Sequence, residues 1–565
     1  MFTEDERKLL EKYVTSADDN VFGVKGMEGM IGAAYARYSR AKGGFREVLL
    51  KEFIKEGSVD PQHAEKLIER VLIAYGDDSV GELEGAHISF EQISMLATKD
   101  IEDRRIGGSP IEQSTRYVFY DQKNDDGHWK YLRHQSLLTA SFGKEYEETM
   151  DFIFQTYASL VEPMKEYYQK LKSLQNAEYD INGDGIKEHF ADLKNEQEQK
   201  AFRITYNTDV RTKACDTIRC LLPLSTLTNV GLFGNGRFFQ HVISTLWTSD
   251  VPEIKEVGDK TFAAASKIIP QYVRRAKRSD YEAAVKTDMF RLTQSLLSDV
   301  PSESIPQTPH LIVLLDRNEE LLERFIKSEK KSVKEALQEA ADINTLAAMV
   351  YPFAQYSMGR LRQIIAGFSR EKRSQILETY IGKRAWRRDR PGRALEQGYP
   401  YEFDMLTNWG VYKDLMRHRM NTQTRQLFTT KFGFDLSLEL KEAGFEKQAL
   451  EVVARSNSLF DTMDKVSPLL AQYAVLHGSF IRWFIGMNDR EAMHMLELRS
   501  TSQGHPNYRH AVQEMHKQVS ARSKWRGEAM KFVDHKEYFW SRADSEARQR
   551  VEESIWEKKF GVRSN

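Results

Sequence analysis

Thirteen residues, Asp414 to Gln426, read D-L-M-R-H-R-M-N-T-Q-T-R-Q and hold four cationic side chains and five amides or hydroxyls. Such a segment is suited to anions. Arg417, His418 and Arg419 offer forked and ring N–H donors to phosphate or carboxylate oxygens, and Asn421, Thr422, Gln423 and Thr424 can bond a ribose or a base edge. Taken alone the run also reads as a solvated basic helix face. An echo at Asp103 to Tyr117, D-R-R-I-G-G-S-P-I-E-Q-S-T-R-Y, again opens on paired arginines and ends in an arginine, and an aromatic residue precedes each run, Phe90 and Phe403.

A second echo follows in the same order. Asn235-Gly236-Arg237 leads into F-F-Q-H-V-I-S-T-L-W, and Asn488-Asp489-Arg490 leads into E-A-M-H-M-L-E-L-R. Asparagine is a good helix N-cap, and free N–H groups beside a first-turn arginine make an anion seat, although an ordinary cap looks the same. Arg499 lies about two and a half turns beyond Arg490, so on a straight helix the two arginines point apart. Two matched motifs in the same order indicate a duplicated domain.

The elements that must position these residues are mostly helical. With 565 residues, 41% apolar and 29% charged, the chain suits two domains or one double domain, globular and α+β with helix dominant. A net charge of −1 argues against a surface made for nucleic acid or anionic membrane, so RNA binding through the five arginines of Arg384 to Arg393 is a weak alternative to a solvated loop or a phosphate-shielding cleft mouth. Cys215 and Cys220 are the only cysteines; they form no metal cluster and point to a reducing compartment, the cytoplasm by default. No run approaches the roughly 20 apolar residues that span a bilayer, and the N-terminus lacks the pattern of a secretory signal.

Along the chain, Asp60-Pro61 reads as a helix start with Leu67, Val71 and Leu72 on its apolar face, and Gly76 to Ser79 as a turn. Residues 143 to 205 read as a helical insert around Asp180 to Gly185. That D-I-N-G-D-G stretch opens like an EF-hand loop but has Ala191 where a bidentate Glu belongs, so a turn is expected and no metal site. The proline-containing 298 to 310 segment reads as a linker, followed by a short apolar strand or helix start at 310 to 316. The expected domains are 1–300 and 301–565.

Together the motifs resemble the flavin-dependent thymidylate synthase (ThyX) family, whose signature joins R-H-R, E-x-S-x-R-Y and an N-A-R that enters a helix carrying a further Arg nine residues on. The family binds FAD and dUMP, takes its carbon from methylenetetrahydrofolate and its electrons from NADPH, and builds each site from neighbouring subunits. Here the signature is divided. The C-terminal half keeps Arg417-His418-Arg419 with Asn488, Asp489 and Arg490, which the resemblance assigns to FAD, and Arg499, assigned to dUMP and to ionising the uracil. Arg417 is assigned to dUMP as well. Leu427 to Thr430 stand where S-x-R-Y belongs.

The N-terminal half supplies Glu112, Gln113, Ser114, Thr115 and Arg116 for dUMP, with Glu112 also toward FAD, and Arg219 eighteen residues before Arg237. Ser79, in Gly76-Asp77-Asp78-Ser79, and His241 match flavin contacts. Conversely, Leu246 replaces the activating arginine, Gln472 replaces the counterpart of Arg219, and R-H-R becomes Asp103-Arg104-Arg105 or Arg104-Arg105-Ile106. After Arg499 the family's H-A-Q is Gln503-Gly504-His505. Complementary losses imply a fused pseudo-dimer with one composite site per chain, reductively methylating dUMP to dTMP. A homodimer would mimic the family's tetramer. The other readings are a different flavin-dependent nucleotide-modifying enzyme and a non-catalytic flavin- or nucleotide-binding scaffold.

Overall fold

The computed structural model describes residues 2–27, 30–39, 41–55, 58–59, 81–182, 184–306, 310–315, 319–385, 389–396 and 398–540. The readings of a helix from Asp60-Pro61 and of a turn at 76–79, with Ser79, lie outside the described residues. The chain is α+β and helix-rich, with small antiparallel sheets in two tandem halves. It forms two compact units, one of 1–93, 97–112 and 228–283, the other of 94–96, 113–227 and 284–565.

In the first unit, strands β1 (Gly85–Ser94), β2 (Gly108–Glu112) and β3 (Leu227–Asn235) form a sheet in the order β1-β3-β2. Buried and exposed positions alternate along β3, as expected of a sheet with one covered face. Asn235 ends β3 and caps helix α1 (Gly236–Thr248), its side chain accepting from the Phe238 N–H at 2.8 Å. The Phe238 ring lies against the sheet so closely that a Cβ on Gly108 would fall 2.3 Å from it, and one on Gly234 2.4 Å. Glycine is needed at both places because the approach leaves no room for a side chain.

The second unit repeats this plan with one strand added. Strands β4 (Leu311–Leu314), β5 (Tyr401–Asn408), β6 (Thr422–Arg425) and β7 (Phe480–Met487) lie in the order β6-β7-β5-β4. The short apolar run after the linker is therefore the strand β4. Helix α2 (Trp409–Leu415) leads from β5 toward the R-H-R segment, and β7 ends at Asn488, which caps helix α3 (Asp489–Arg499) by accepting from the Glu491 N–H at 3.0 Å. Helix α4 (Pro506–Arg522) follows. Every residue of β5 is buried, Glu402 and Asp404 included, so both faces of this sheet are covered. An apolar core around Phe325, Ile343, Met349, Leu361 and Ile365 packs on it through Phe484. Each such side chain contributes about 1.5–3 kcal/mol by leaving water.

The halves meet inside this second unit through reciprocal backbone bonds. Leu224 N donates to Val475 O and His477 N to Leu222 O, both at 2.8 Å; Ser225 N donates to Tyr473 O and Gly478 N to Cys220 O; Pro223 bridges Leu476. At the spacing that relates Asn235 to Asn488, Leu222 corresponds to Val475, Pro223 to Leu476 and Leu224 to His477. Each bond is thus the image of another under exchange of the halves, which is the signature of an isologous, two-fold contact.

The insert holds two helices, Gly143–Leu171 and Glu196–Ile218, with apolar residues such as Met150, Ile153, Phe154, Tyr157 and Val161 on one face of the first. Between them Asp180 to Gly185 turns a short hairpin, where the Gly185 N–H reaches the Asp180 carboxylate at 3.0 Å. At its end Asp184 Oδ1 accepts from the Ile186 N–H at 2.9 Å, two residues on, which makes an Asx turn.

Candidate functional site

Sheet register aligns the two basic motifs. Ser109 faces Phe233 across β2 and β3, and Thr422 faces Gly486 across β6 and β7. Phe233 and Gly486 are counterparts at the spacing of Asn235 and Asn488, so Ser109 corresponds to Thr422. Counting back, Arg417-His418-Arg419 corresponds to Arg104-Arg105-Ile106, which settles the two-way alignment left open by the sequence. Counting forward, Arg116 corresponds to Thr429.

The second unit gathers side chains from both halves into one buried ionic cluster. Arg116 holds Asp216 through two parallel bonds, Nε to Oδ1 at 2.7 Å and NH2 to Oδ2 at 2.6 Å, and donates from NH1 to the Gln503 carbonyl at 2.9 Å. Arg219 reaches Asp414 at 3.4 Å, and Arg417 approaches the other oxygen of Asp414 at 4.0 Å. Arg499 donates from Nε to His418 Nε2 at 2.8 Å, while His418 Nδ1 meets Glu491 at 2.9 Å. Arg116, Arg219 and His418 are each about 5% exposed or less.

Electrostatics inside this cluster favour an added anion. Burial alone would raise the Asp216 and Asp414 carboxyls; Arg116 on the first and Arg219 on the second hold both below the usual carboxylate range. Burial, reinforced by the Arg219 guanidinium, pushes His505 down to about 3, and burial lowers His418 despite its bond to Glu491. Both imidazoles are neutral at pH 7. Arg116, Arg219, Arg417 and Arg499 then outnumber Asp216, Asp414 and Glu491. Moreover, the one long contact to Asp414 leaves the rest of the Arg219 fork without a hydrogen-bond partner among the described residues.

Other expected site residues are placed as follows. Ser114 shapes a turn, its hydroxyl accepting from the Arg116 N–H, and the buried Thr115 hydroxyl has no partner among the described residues. Gln113 is half-buried, while Arg419 and Arg490 are exposed. Asp489 accepts from Tyr401 and from Arg526 at 3.0 Å. Arg490 and Arg499 both stand on α3, Arg490 exposed and Arg499 half-buried. Two residues belong to the first unit. Glu112 is fully buried there on Lys99 at 3.0 Å, with Thr98 at 3.4 Å, and His241 meets Arg104 at 2.8 Å. Cys220 is buried, its thiol pushed up to about 12 by burial, as expected of packing rather than chemistry.

The segment after R-H-R carries orphaned polar atoms. Both amide atoms of Asn421, Oε1 of Gln423 and Oε1 of Gln426 are buried without hydrogen-bond partners among the described residues. Buried amides in that condition destabilise by about 1–3 kcal/mol each, and a heterocycle with alternating donors and acceptors would relieve them. This set of three acceptors and one donor suits the mixed hydrogen-bonding edge of either a pyrimidine or a flavin. Sequence reading did not single out Asp216, Asp414 or Glu491. A signal was present, since Asp216 stands three residues before Arg219 and Asp414 three before Arg417, a spacing that puts acid and base on one helical face.

The family model described as thymidylate synthase complementing protein matches residues 28–271 and 339–523, one segment in each half. The chain belongs to this family. A UPF0159 protein of Chlamydia pneumoniae is 34% identical over 562 residues, covering 97% of this chain and 98% of its own. Others from Chlamydia muridarum and Thermoplasma acidophilum are 33% and 30% identical, spanning 97% and 92% of this chain and 99% and 98% of their own. Membership carries a thymidylate-synthase-like function, in a family that is generally flavin-dependent. Among the described residues no helix is long and apolar enough to cross a membrane.

Proposed function

We infer that the chain is a flavin-dependent thymidylate synthase that converts dUMP to dTMP with methylenetetrahydrofolate and NADPH, using one composite site per chain. The observation that carries this reading is the single, long hydrogen bond of Arg219 beside Arg116, in a cluster that joins N-terminal residues to the R-H-R segment and Arg499. Arg116 and Arg219 bind the nucleotide phosphate, whose negative charge is partly offset by the one guanidinium in excess of the carboxylates. Ser114 orients the sugar-phosphate, with Gln113 and Thr115 as further nucleotide contacts; the family resemblance also assigns Glu112 to the nucleotide. Arg499 opposes negative charge that develops on the pyrimidine, an electrostatic role of the oxyanion kind.

Arg417, His418, Arg419, Asn488, Asp489 and Arg490 are the residues of the second unit that would hold FAD; the family resemblance also assigns Ser79, Glu112 and His241 to it. When bound, FAD supplies the two-electron reduction that completes the methyl group. The chain's part is to hold the nucleotide, keep both buried imidazoles neutral and exclude water from the cluster. The division into domains 1–300 and 301–565 and pairing of two chains belong to the same reading.

Three measurements test it. The purified chain should show flavin absorption that dUMP perturbs, and should form dTMP with methylenetetrahydrofolate and NADPH. Arg499→Glu should abolish dTMP formation with flavin retained. A protein that stays colourless after addition of FAD, or whose flavin spectrum ignores dUMP, would remove this reading and favour the scaffold.

A further inference from the structure

We propose that Glu491 is a positioning residue that acts on Arg499 through His418, and that these three side chains work as one unit. The inference rests on the role given to Arg499 above. A guanidinium has donors and no acceptor, so the 2.8 Å contact from Arg499 Nε requires a lone pair on His418 Nε2. The neutral ring then carries its proton on Nδ1 and donates it to Glu491 Oε1 at 2.9 Å. The opposite tautomer would set two N–H groups against each other. Glu491 therefore fixes the tautomer, and the tautomer fixes the guanidinium, the logic by which outer carboxylates orient histidines elsewhere.

The fold holds the relay rigidly. Glu491 and Arg499 stand on the same helix, α3, and His418 bridges them from the R-H-R segment; Glu491 and His418 are each 5% exposed. The Asn488 cap bonds the Glu491 N–H and so anchors the first member. A ring contact with His494, centroids 5.5 Å apart, restrains the imidazole further.

The other half gives an independent observation. At the spacings set by Asn235 with Asn488 and by Ser109 with Thr422, the counterparts of Glu491, His418 and Arg499 are Phe238, Arg105 and Leu246. All three members changed in the half that lost the activating arginine. Phe238 instead fills the space over Gly108 and Gly234. Side chains kept only for packing would not be lost together with the arginine.

The test reads the histidine directly in the full-length chain. Selective ¹⁵N labelling should show Nε2 of His418 unprotonated and the Arg499 Nε–H slow to exchange. In Glu491→Leu, Nε2 should become protonated and that exchange at least tenfold faster. Turnover of dUMP should fall by about 10- to 100-fold in kcat, with KM for dUMP and bound flavin held, the size expected when an orienting partner is removed. Glu491→Gln, whose Oε1 still accepts from Nδ1–H, should stay within about threefold of the parent. If Glu491→Leu is recovered unfolded, Glu491→Ala gives the same contrast. An unchanged tautomer and exchange rate, or an unchanged kcat in an active enzyme, overturns the proposal. A parent that makes no dTMP while the tautomer and exchange respond as stated overturns the thymidylate reading and leaves the relay standing.

Discussion

The Arg116–Asp216 pair offers a stringent test of how the buried ionic cluster is held together. Both side chains are about 95% buried, and the two bonds between them are short and parallel. Replacing Asp216 with Asn removes the compensating charge and sets an amide N–H against the guanidinium. Breaking a buried pair of this kind costs about 3–5 kcal/mol. In a cooperative unit of roughly 400 residues, unfolding entropy near 0.8 kcal/mol/K converts that loss to about 4–6 °C in Tm. Asp216 is held below the usual carboxylate range, so its contribution is complete at pH 7.5 and is lost only as pH falls well under 4. Arg116→Met should cost a similar amount by leaving Asp216 unpaired. The double variant Arg116→Met with Asp216→Leu should recover at least about half of either loss, because two apolar groups need no partner. Thermal unfolding of the four proteins at pH 7.5 completes the cycle. Additive losses, or a single Asp216→Asn loss below about 1 kcal/mol, would refute the claim that this pair is tightly coupled.

Three further outcomes are expected. His505 has its folded pKa pushed to about 3, so below pH 6.5 the unfolded chain gains the proton first; between pH 6.5 and 5 the parent should lose about 2 kcal/mol more than His505→Asn, which keeps the helix cap, as read by urea unfolding. A flat difference across that window would show that the buried imidazole is not the cause. Gly108→Ala should cost about 1–3 kcal/mol through its clash with the Phe238 ring, with recovery when Phe238→Leu is added, measured by thermal unfolding. Asn488→Ala and Asn235→Ala should each lower stability by about 1 kcal/mol, since both side chains cap a helix; amide exchange at Glu491 and Phe238 would report the freed N–H groups.

The fold class and its duplication were legible in the chain because helix caps, glycines and apolar runs act locally, over a few residues. Asn235 and Asn488 cap helices as their place before apolar runs implies, and the D-I-N-G-D-G stretch holds a turn; the apolar run at 310–316, which read as strand or helix start, holds a strand at Leu311–Leu314. Family resemblance likewise needs only residue types at set spacings, and the family match bears it out. The pairing of β4 at the edge of the sheet beside β5 and the burial of both faces of β5 were not legible, since Glu402 and Asp404 look solvated until their partners Arg362, Tyr351 and the Met358 N–H are known.

What the sequence by itself determined is which chemistry-bearing residues exist and that they come in two complementary sets. Only the tertiary structure decided which charges meet: that Arg116 takes Asp216, that Arg219 takes Asp414 from the other half, and that His418 is spent on linking Glu491 to Arg499. The reason is range. A hydrogen bond or ion pair is decided within about 4 Å, and partners that far apart in sequence are brought to that distance only by the packing of whole elements.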